Sequence, residues 1–258
     1  MIGMDLSDMF SLSRKVAIVT GASKGIGLAT AEIFAAAGAR VVISSRKQAT
    51  LDTVAGHLKE RGYDVMAIAC NVGDPDAVKN LVSETVERYG QIDILVNNAA
   101  TNPVYGPINE TSLDAYDKIM NVNVRAPFQL MKLCFPYLIA STSGSVINIS
   151  SIGGLSPEDG LGIYSVSKAA LISLTKACAK EWAGHGIRVN AICPGLIKTK
   201  FSQALWSNEG VMERMMDQLA LKRIGESEEI GAAALYLASD ASAYTTGAVL
   251  TVDGGVTI

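Results

Sequence analysis

Short runs of β-branched and aliphatic residues alternate along this chain with longer stretches in which apolar positions return every three or four residues. Runs of strand length fall at 16–20, 40–44, 65–69, 92–96, 146–149, 188–192 and 249–252. Helical periodicity occupies 26–37, 49–61, 75–89, 113–138, 163–183 and 228–237. Val16-Ala17-Ile18-Val19 and Ile92-Asp93-Ile94-Leu95-Val96 are apolar on both faces, as suits strands of a parallel sheet covered by helices above and below. The pattern predicts a doubly wound α/β fold, three layers deep, with about seven strands. Alternation lapses at 198–225. There Phe201, Leu205, Trp206, Met212, Met215, Met216 and Leu219 form either an amphipathic lid over a pocket or further core packing.

Composition narrows the class of protein. At 258 residues, with no linker, low-complexity tract or charge block to divide it, the chain is expected to form one domain over 1–258. A chain of this size buries on the order of 70% of its extended surface, enough for a core without disulfides or metal. Lys plus Arg total 22 against 25 Asp plus Glu, and a net charge of −3 offers no field to gather nucleic acid or anionic lipid. Hydrophobic residues at 49% and charged residues at 18% exclude intrinsic disorder and make a buried subunit interface plausible. No apolar run approaches the roughly 18 residues that span a bilayer, and the first ten residues carry Asp5 and Asp8 instead of a basic leader. A soluble cytoplasmic protein without a membrane partner is expected. Cys70, Cys134, Cys178 and Cys193 lack metal-ligand spacing and read as buried free thiols, and no metal site is expected with His57 or His185.

The first predicted strand runs directly into Thr20-Gly21-Ala22-Ser23-Lys24-Gly25-Ile26-Gly27, and a helix follows without a break. Glycines there permit positive φ, let a pyrophosphate approach bare amides and let the helix pack closely on the strand. The helix N-terminus itself favours negative charge. The spacing is G-x-x-x-G-x-G, and the order of strand, turn and helix makes it a dinucleotide-binding signal.

With Asn97-Asn98-Ala99, Asn123, Ser151, Tyr164 with Lys168, Pro194-Gly195 and Asp253-Gly254-Gly255 in the same order, the chain resembles the short-chain dehydrogenase/reductase family over nearly its whole length. The resemblance implies a Rossmann fold of sheet order 3-2-1-4-5-6-7, with a dinucleotide across the switch point between strands 1 and 4. Gly21, Ser23, Lys24, Gly25, Ile26 and Gly27 would then meet the cofactor, with Asn71, Val72, Asn98 and Ala99 along its adenosine side. Pro194, Gly195, Ile197 and Thr199 would meet its carboxamide end. Asn71 stands where the family usually carries an Asp, and Ala100 replaces a common glycine. Neither change removes a reacting group.

The second strand ends Ser44-Ser45-Arg46-Lys47, with no carboxylate to repel a 2′-phosphate and with Arg46, assisted by Lys24, able to clamp one. NADP(H) is therefore the expected cofactor, with Ser45 and Arg46 setting the preference.

Tyr164 and Lys168 are four residues apart and share one helical face. A phenol needs about 4 kcal/mol of differential stabilisation to ionise near neutrality. One ammonium about 5 Å away supplies roughly 3 kcal/mol of it. Ser151 follows the strand 146–149, at a carboxyl end where ligands bind in such sheets. By resemblance, Tyr164 is the general acid or base, Ser151 hydrogen-bonds the substrate oxygen and Lys168 holds the nicotinamide ribose. Asn123 would anchor a water through its backbone carbonyl.

These residues predict reversible, NADPH-dependent reduction of a ketone or aldehyde. A catalytically silent dinucleotide-binding scaffold is the competing reading, opposed by the intact Ser151, Tyr164 and Lys168. Extended sugar epimerases and dehydratases use a different glycine spacing and a longer substrate domain. Ser44-Ser45-Arg46-Lys47 and Asn98-Ala99-Ala100-Thr101-Asn102-Pro103 are similar to the carbonyl and retinoid reductase branch. Leu155, Leu161, Ile163, Leu196, Phe201 and Trp206 imply a pocket for an apolar or aromatic carbonyl or alcohol. The helices at 113–138 and 163–183 are expected to pair with a symmetry mate in a homodimer or homotetramer.

Overall fold

The computed structural model describes residues 6–202 and 216–258. Seven parallel strands form one sheet in the order β3-β2-β1-β4-β5-β6-β7. They are β1 Val16–Thr20, β2 Arg40–Ser45, β3 Val65–Ala69, β4 Ile94–Asn97, β5 Ser145–Ile149, β6 Arg188–Pro194 and β7 Val249–Val252. Parallel neighbours need long crossovers, and helices supply them. A short helix α1, Leu6–Phe10, precedes β1; the helices that cover the sheet among the described residues include α2 Gly25–Ala36, α3 Gln48–Glu60, α4 Pro75–Tyr89, α5 Leu113–Met120, α6 Ala126–Ala140, α7 Gly162–Trp182 and α8 Ser227–Ala238.

The two-faced strands do what their sequence requires. Ala17 and Val19 of β1 join a cluster with Phe34 of α2, Leu58 of α3 and Leu237 of α8. Ile18 of the same strand points the other way, into a cluster with Leu81 of α4, Leu130 of α6 and Cys178 of α7. A strand wholly buried between two such layers reads as continuous apolar sequence, the signal seen at 16–19. All four cysteines are free and buried, as expected. Among the described residues no helix is long and apolar enough to cross a membrane.

Three local differences from the expected elements have identifiable causes. Helix α1 has no buried residue and carries no periodic apolar stripe to announce it. Strand β4 begins at Ile94 rather than 92, and just before it the Asp93 carboxylate accepts hydrogen bonds from the Val16 amide at 2.8 Å and the Ser141 hydroxyl at 2.6 Å, tying the strand's entry to its neighbours. The single helix expected over 113–138 is broken between α5 and α6 by a π-helical turn, Asn121–Arg125. Pro127 lies in the first turn of α6 and has no amide to close an α-helical bond on the Asn123 carbonyl. The Ala126 amide instead reaches back five residues to the Asn121 carbonyl.

Of the proposed lid residues, Phe201 is exposed and Leu219 is 2% exposed, so the second belongs to packing rather than a cover. Leu205, Trp206, Met212 and Met215 lie outside the described residues, and Met216 is half-buried.

Candidate active site

The carboxyl ends of β1, β4, β5 and β6 bring most of the sequence-nominated residues to one edge of the sheet. Gly21 and Gly25 have φ of +67° and +56°, which only glycine adopts without strain. Packing within the protein supplies a second reason for the glycines. A Cβ on Gly27 would lie 2.5 Å from both Asn98 Nδ2 and the Gly21 carbonyl oxygen, and one on Gly21 would lie 2.7 Å from Asn98 Nδ2. Asn98 is held there by donating to the carbonyls of Thr20 at 2.8 Å and Gly21 at 3.3 Å. The Thr20 hydroxyl, not singled out in sequence, accepts the Asn98 and Ala99 amides at 3.0 and 3.1 Å.

Whether this edge fits a dinucleotide can be judged from α2. Its N-cap, Lys24, makes no side-chain hydrogen bond to the helix, so no side chain caps the first amides of this 12-residue helix from that position. Uncapped amides behind a glycine turn are the donor set a phosphate takes. Lys24 and Arg46 are exposed at the ends of adjacent strands, and neither is in an ion pair among the described residues. Ser23 and Ser45 are half-buried beside them. The residues present fit the group.

Further along, Asn71 is exposed and its side-chain oxygen accepts the Gly73 amide at 3.3 Å. The Val72 side chain joins the core, leaving its backbone as the part that can face a ligand. At the end of β6, Gly195 donates to Val252 at 3.0 Å, and a Cβ on it would lie 2.8 Å from the backbone of Asp253. Pro194 and Ile197 are buried, and the Thr199 amide donates to Ser202 Oγ at 3.2 Å.

Ser151, Tyr164 and Lys168 converge. Ser151 Oγ accepts the Gly153 amide at 3.1 Å, leaving its own proton to donate elsewhere. It acts on the Tyr164 hydroxyl in the sense that favours the phenolate. Lys168 is 2% exposed, and its ammonium donates to the Ile149 carbonyl at 2.8 Å and lies 5.5 Å from the centre of the Tyr164 ring. The Ser150 hydroxyl, also unforeseen, donates to the Lys168 carbonyl at 2.9 Å and pins that turn of α7 to the end of β5.

Asn123 is buried beside this group. Its side chain exchanges hydrogen bonds with the Thr101 backbone at 2.8 and 3.0 Å and donates to Ser167 Oγ at 3.0 Å, and Ser167 in turn donates to the Tyr164 carbonyl at 2.6 Å. The π-helical turn and α7 are thereby fastened together. Ser167 could have been noticed in sequence by its position three residues after Tyr164.

Burial dominates the electrostatics of the pair. Burial pushes the Tyr164 phenol above its ordinary value of 10.0, reinforced by the charges of Glu158 and Cys193 and opposed by Ser151. Burial also pulls the Lys168 ammonium down to about 8. Enclosure disfavours the charged form of each group, acting against the phenolate and against the ammonium alike. The phenol is held in its protonated form, which is the form a proton donor needs.

A strand end fit for a dinucleotide, beside half-buried Ser151 and Tyr164 and buried Lys168, defines a class, the dinucleotide-dependent oxidoreductases. Comparison with known proteins narrows it. A family model described as enoyl-(acyl carrier protein) reductase matches residues 21–257. "Dehydrogenase/reductase SDR family member 4" of Oryctolagus cuniculus is 42% identical over 95% of this chain and 94% of its own length. A dehydrogenase/reductase structure from Sinorhizobium meliloti superposes with a TM-score of 0.92 at 34% identity, covering 98% of this chain and 99% of that one. A structure from Beutenbergia cavernae, provisionally assigned as an NAD(P)-dependent gluconate 5-dehydrogenase and holding NADP at low occupancy, superposes with a TM-score of 0.91 at 33% identity over 96% of this chain and 98% of that one. The chain belongs to the short-chain dehydrogenase/reductase family, oxidoreductases that act on alcohol and carbonyl groups.

Proposed function

We propose that this protein is an NADP(H)-dependent reductase of ketones or aldehydes, running in reverse as an alcohol dehydrogenase, with Tyr164 as its proton donor and acceptor. The observation that carries the reading is the grouping of Ser151, Tyr164 and Lys168. A protonated phenol, the serine hydroxyl that hydrogen-bonds it and a buried lysine lie together at the carboxyl edge of the sheet. A bound nicotinamide supplies or takes up the hydride. Ser151 donates to the substrate oxygen and fixes its direction, and Tyr164 gives its proton to that oxygen as negative charge grows on it. Lys168, with a pKa of about 8, is matched to refilling the phenol near neutral pH. The Asn123 carbonyl, which Pro127 deprives of its α-helical partner, is suited to anchor a water in that refilling path. Arg46 and Lys24 take the 2′-phosphate, each charge-assisted contact contributing roughly 1.5 to 3 kcal/mol.

On the substrate side this reading puts half-buried Leu161 and Ile163, with Phe201, whose ring centre lies 6.1 Å from that of Tyr164. These favour a compact carbonyl compound with an apolar body. The protein works as a homodimer or homotetramer in this reading, with exposed Leu113 and Phe128 among the apolar side chains available for an interface. The test is NADPH oxidation across a panel of ketones, aldehydes, quinones and β-ketoesters with wild type and Tyr164→Phe. Turnover abolished by the substitution, with NADPH binding retained, is expected. Binding without turnover of any compound would instead favour a silent dinucleotide-binding protein.

A further inference from the structure

The free edge of the sheet carries a contact that neither the fold nor the proposed reaction accounts for. β3 is an outermost strand and pairs within the sheet with β2 alone. Just before it the Asp64 carbonyl accepts the Val41 amide at 2.9 Å, and just after it the Cys70 amide donates to the Ser45 carbonyl at 2.8 Å. Successive residues of a strand turn their amides and carbonyls to opposite sides. Val65, Ala67 and Ala69 therefore present theirs outward, where no strand follows.

Gln48, the first residue of α3, fills part of this edge. Its Nε2 donates to the Ala67 carbonyl at 3.1 Å, and its Oε1 accepts the Ala69 amide at 2.8 Å. One residue of a further parallel strand would make the same two bonds with its own amide and carbonyl. Gln48 Nε2 also donates to Asp52 Oδ1, one turn along α3, at 2.7 Å. The carboxamide is thereby oriented from both sides, by its own helix and by β3.

This clip lies beside the adenosine side of the candidate site. Arg46 stands two residues before Gln48, and Asn71 two residues after Ala69. Arg46 is exposed and in no ion pair among the described residues, so its backbone alone places it. That backbone is held on one side through Ser45, by the ladder to β3, and on the other by Gln48. A charge-assisted bond from a guanidinium to a phosphate depends on distance and direction, so its strength follows from how that turn is held.

We propose that Gln48 is a positioning residue for cofactor selection: its carboxamide stands in for a neighbouring strand, fastens the start of α3 to β3, and so sets Arg46 where it can meet a 2′-phosphate. The role rests on Arg46 being the phosphate ligand. Gln48 acts only through the turn that carries Arg46.

Gln48→Met keeps the side-chain length and the helix propensity and removes both bonds to β3. Calorimetry on the protein without bound cofactor should give a Kd for NADPH about three- to tenfold weaker than in wild type, with the Kd for NADH unchanged within about twofold. In an Arg46→Ala background, Gln48→Met should add nothing to the loss of NADPH affinity. A Gln48 that merely supports the fold would weaken both cofactors alike and add to the Arg46→Ala loss, and either result overturns the inference. Unaltered selectivity overturns it too, including the case in which the variant self-associates through the opened edge, which would make Gln48 a guard of that edge alone. The cofactor reading fails separately, and takes the inference with it, if wild type binds NADH as tightly as NADPH or if Arg46→Ala leaves the preference unchanged.

Discussion

The two halves of the sheet's carboxyl edge are built on opposite principles. Around β1 and β2 the edge offers backbone amides, glycines and two exposed cations, Lys24 and Arg46. Around β5 and α7 it offers enclosed polar side chains, each fastened by a hydrogen bond: Lys168 to Ile149, Ser150 to Lys168 and Asn123 to Ser167. The first half recognises a charged, extended ligand and can be retuned at its surface with little cost to the fold. The second sets the protonation of reacting groups, so its members are coupled to one another and to stability.

Substitutions should separate these two behaviours, and the largest effect belongs to the enclosed half. Tyr164→Phe should lower kcat for carbonyl reduction by about 10²–10⁴-fold while leaving the Kd for NADPH within a few-fold, measured by steady-state kinetics and nicotinamide fluorescence. Loss of NADPH binding in that variant would erase the distinction between the halves.

On the exposed half, Ser45→Asp with Arg46→Ala should shift the ratio of NADPH to NADH utilisation by about 10–10³-fold with an unchanged melting temperature. Unaltered selectivity would refute the NADP(H) assignment.

A smaller effect tests where the exposed half ceases to be adjustable. Gly27→Ala places a methyl against Asn98 and the Gly21 carbonyl, and should cost about 1–3 kcal/mol. Melting should fall by roughly 2–10 °C. A variant as stable as wild type would show that the turn can yield there.

An effect of similar size, read through pH, concerns Lys168. Its folded value of about 8 lies below its ordinary 10.5, so between those pH values the unfolded chain binds the extra proton. Its contribution to stability must therefore rise with pH through that window. Urea unfolding of wild type and Lys168→Met at about pH 7.5 and about pH 10 should show the gain in wild type and not in the variant.

Much of the molecule was readable in sequence because the physics was local or periodic. Strands apolar on both faces announce a covered parallel sheet, and the glycine turn sits between a strand and a helix as a phosphate site demands. The π-helical turn escaped because the apolar period continues through 113–138, and the proline that interrupts the backbone ladder leaves that period intact. Pro127 was the visible signal. The role of Asn98 in enforcing Gly21 and Gly27 was hidden for another reason, since it depends on contact between segments more than 70 residues apart. Burial raises the Tyr164 phenol and lowers the Lys168 ammonium, a tertiary effect that no linear pattern reports.

The most direct test of a phenol that protonates the substrate oxygen is a crystal structure with NADP(H) and a bound carbonyl compound or its alcohol. The account predicts that the substrate oxygen lies within about 2.6–3.2 Å of both the Tyr164 hydroxyl and Ser151 Oγ, with the nicotinamide ring against the same carbon. A substrate oxygen held by other groups, with Tyr164 still enclosed and out of reach, would contradict it.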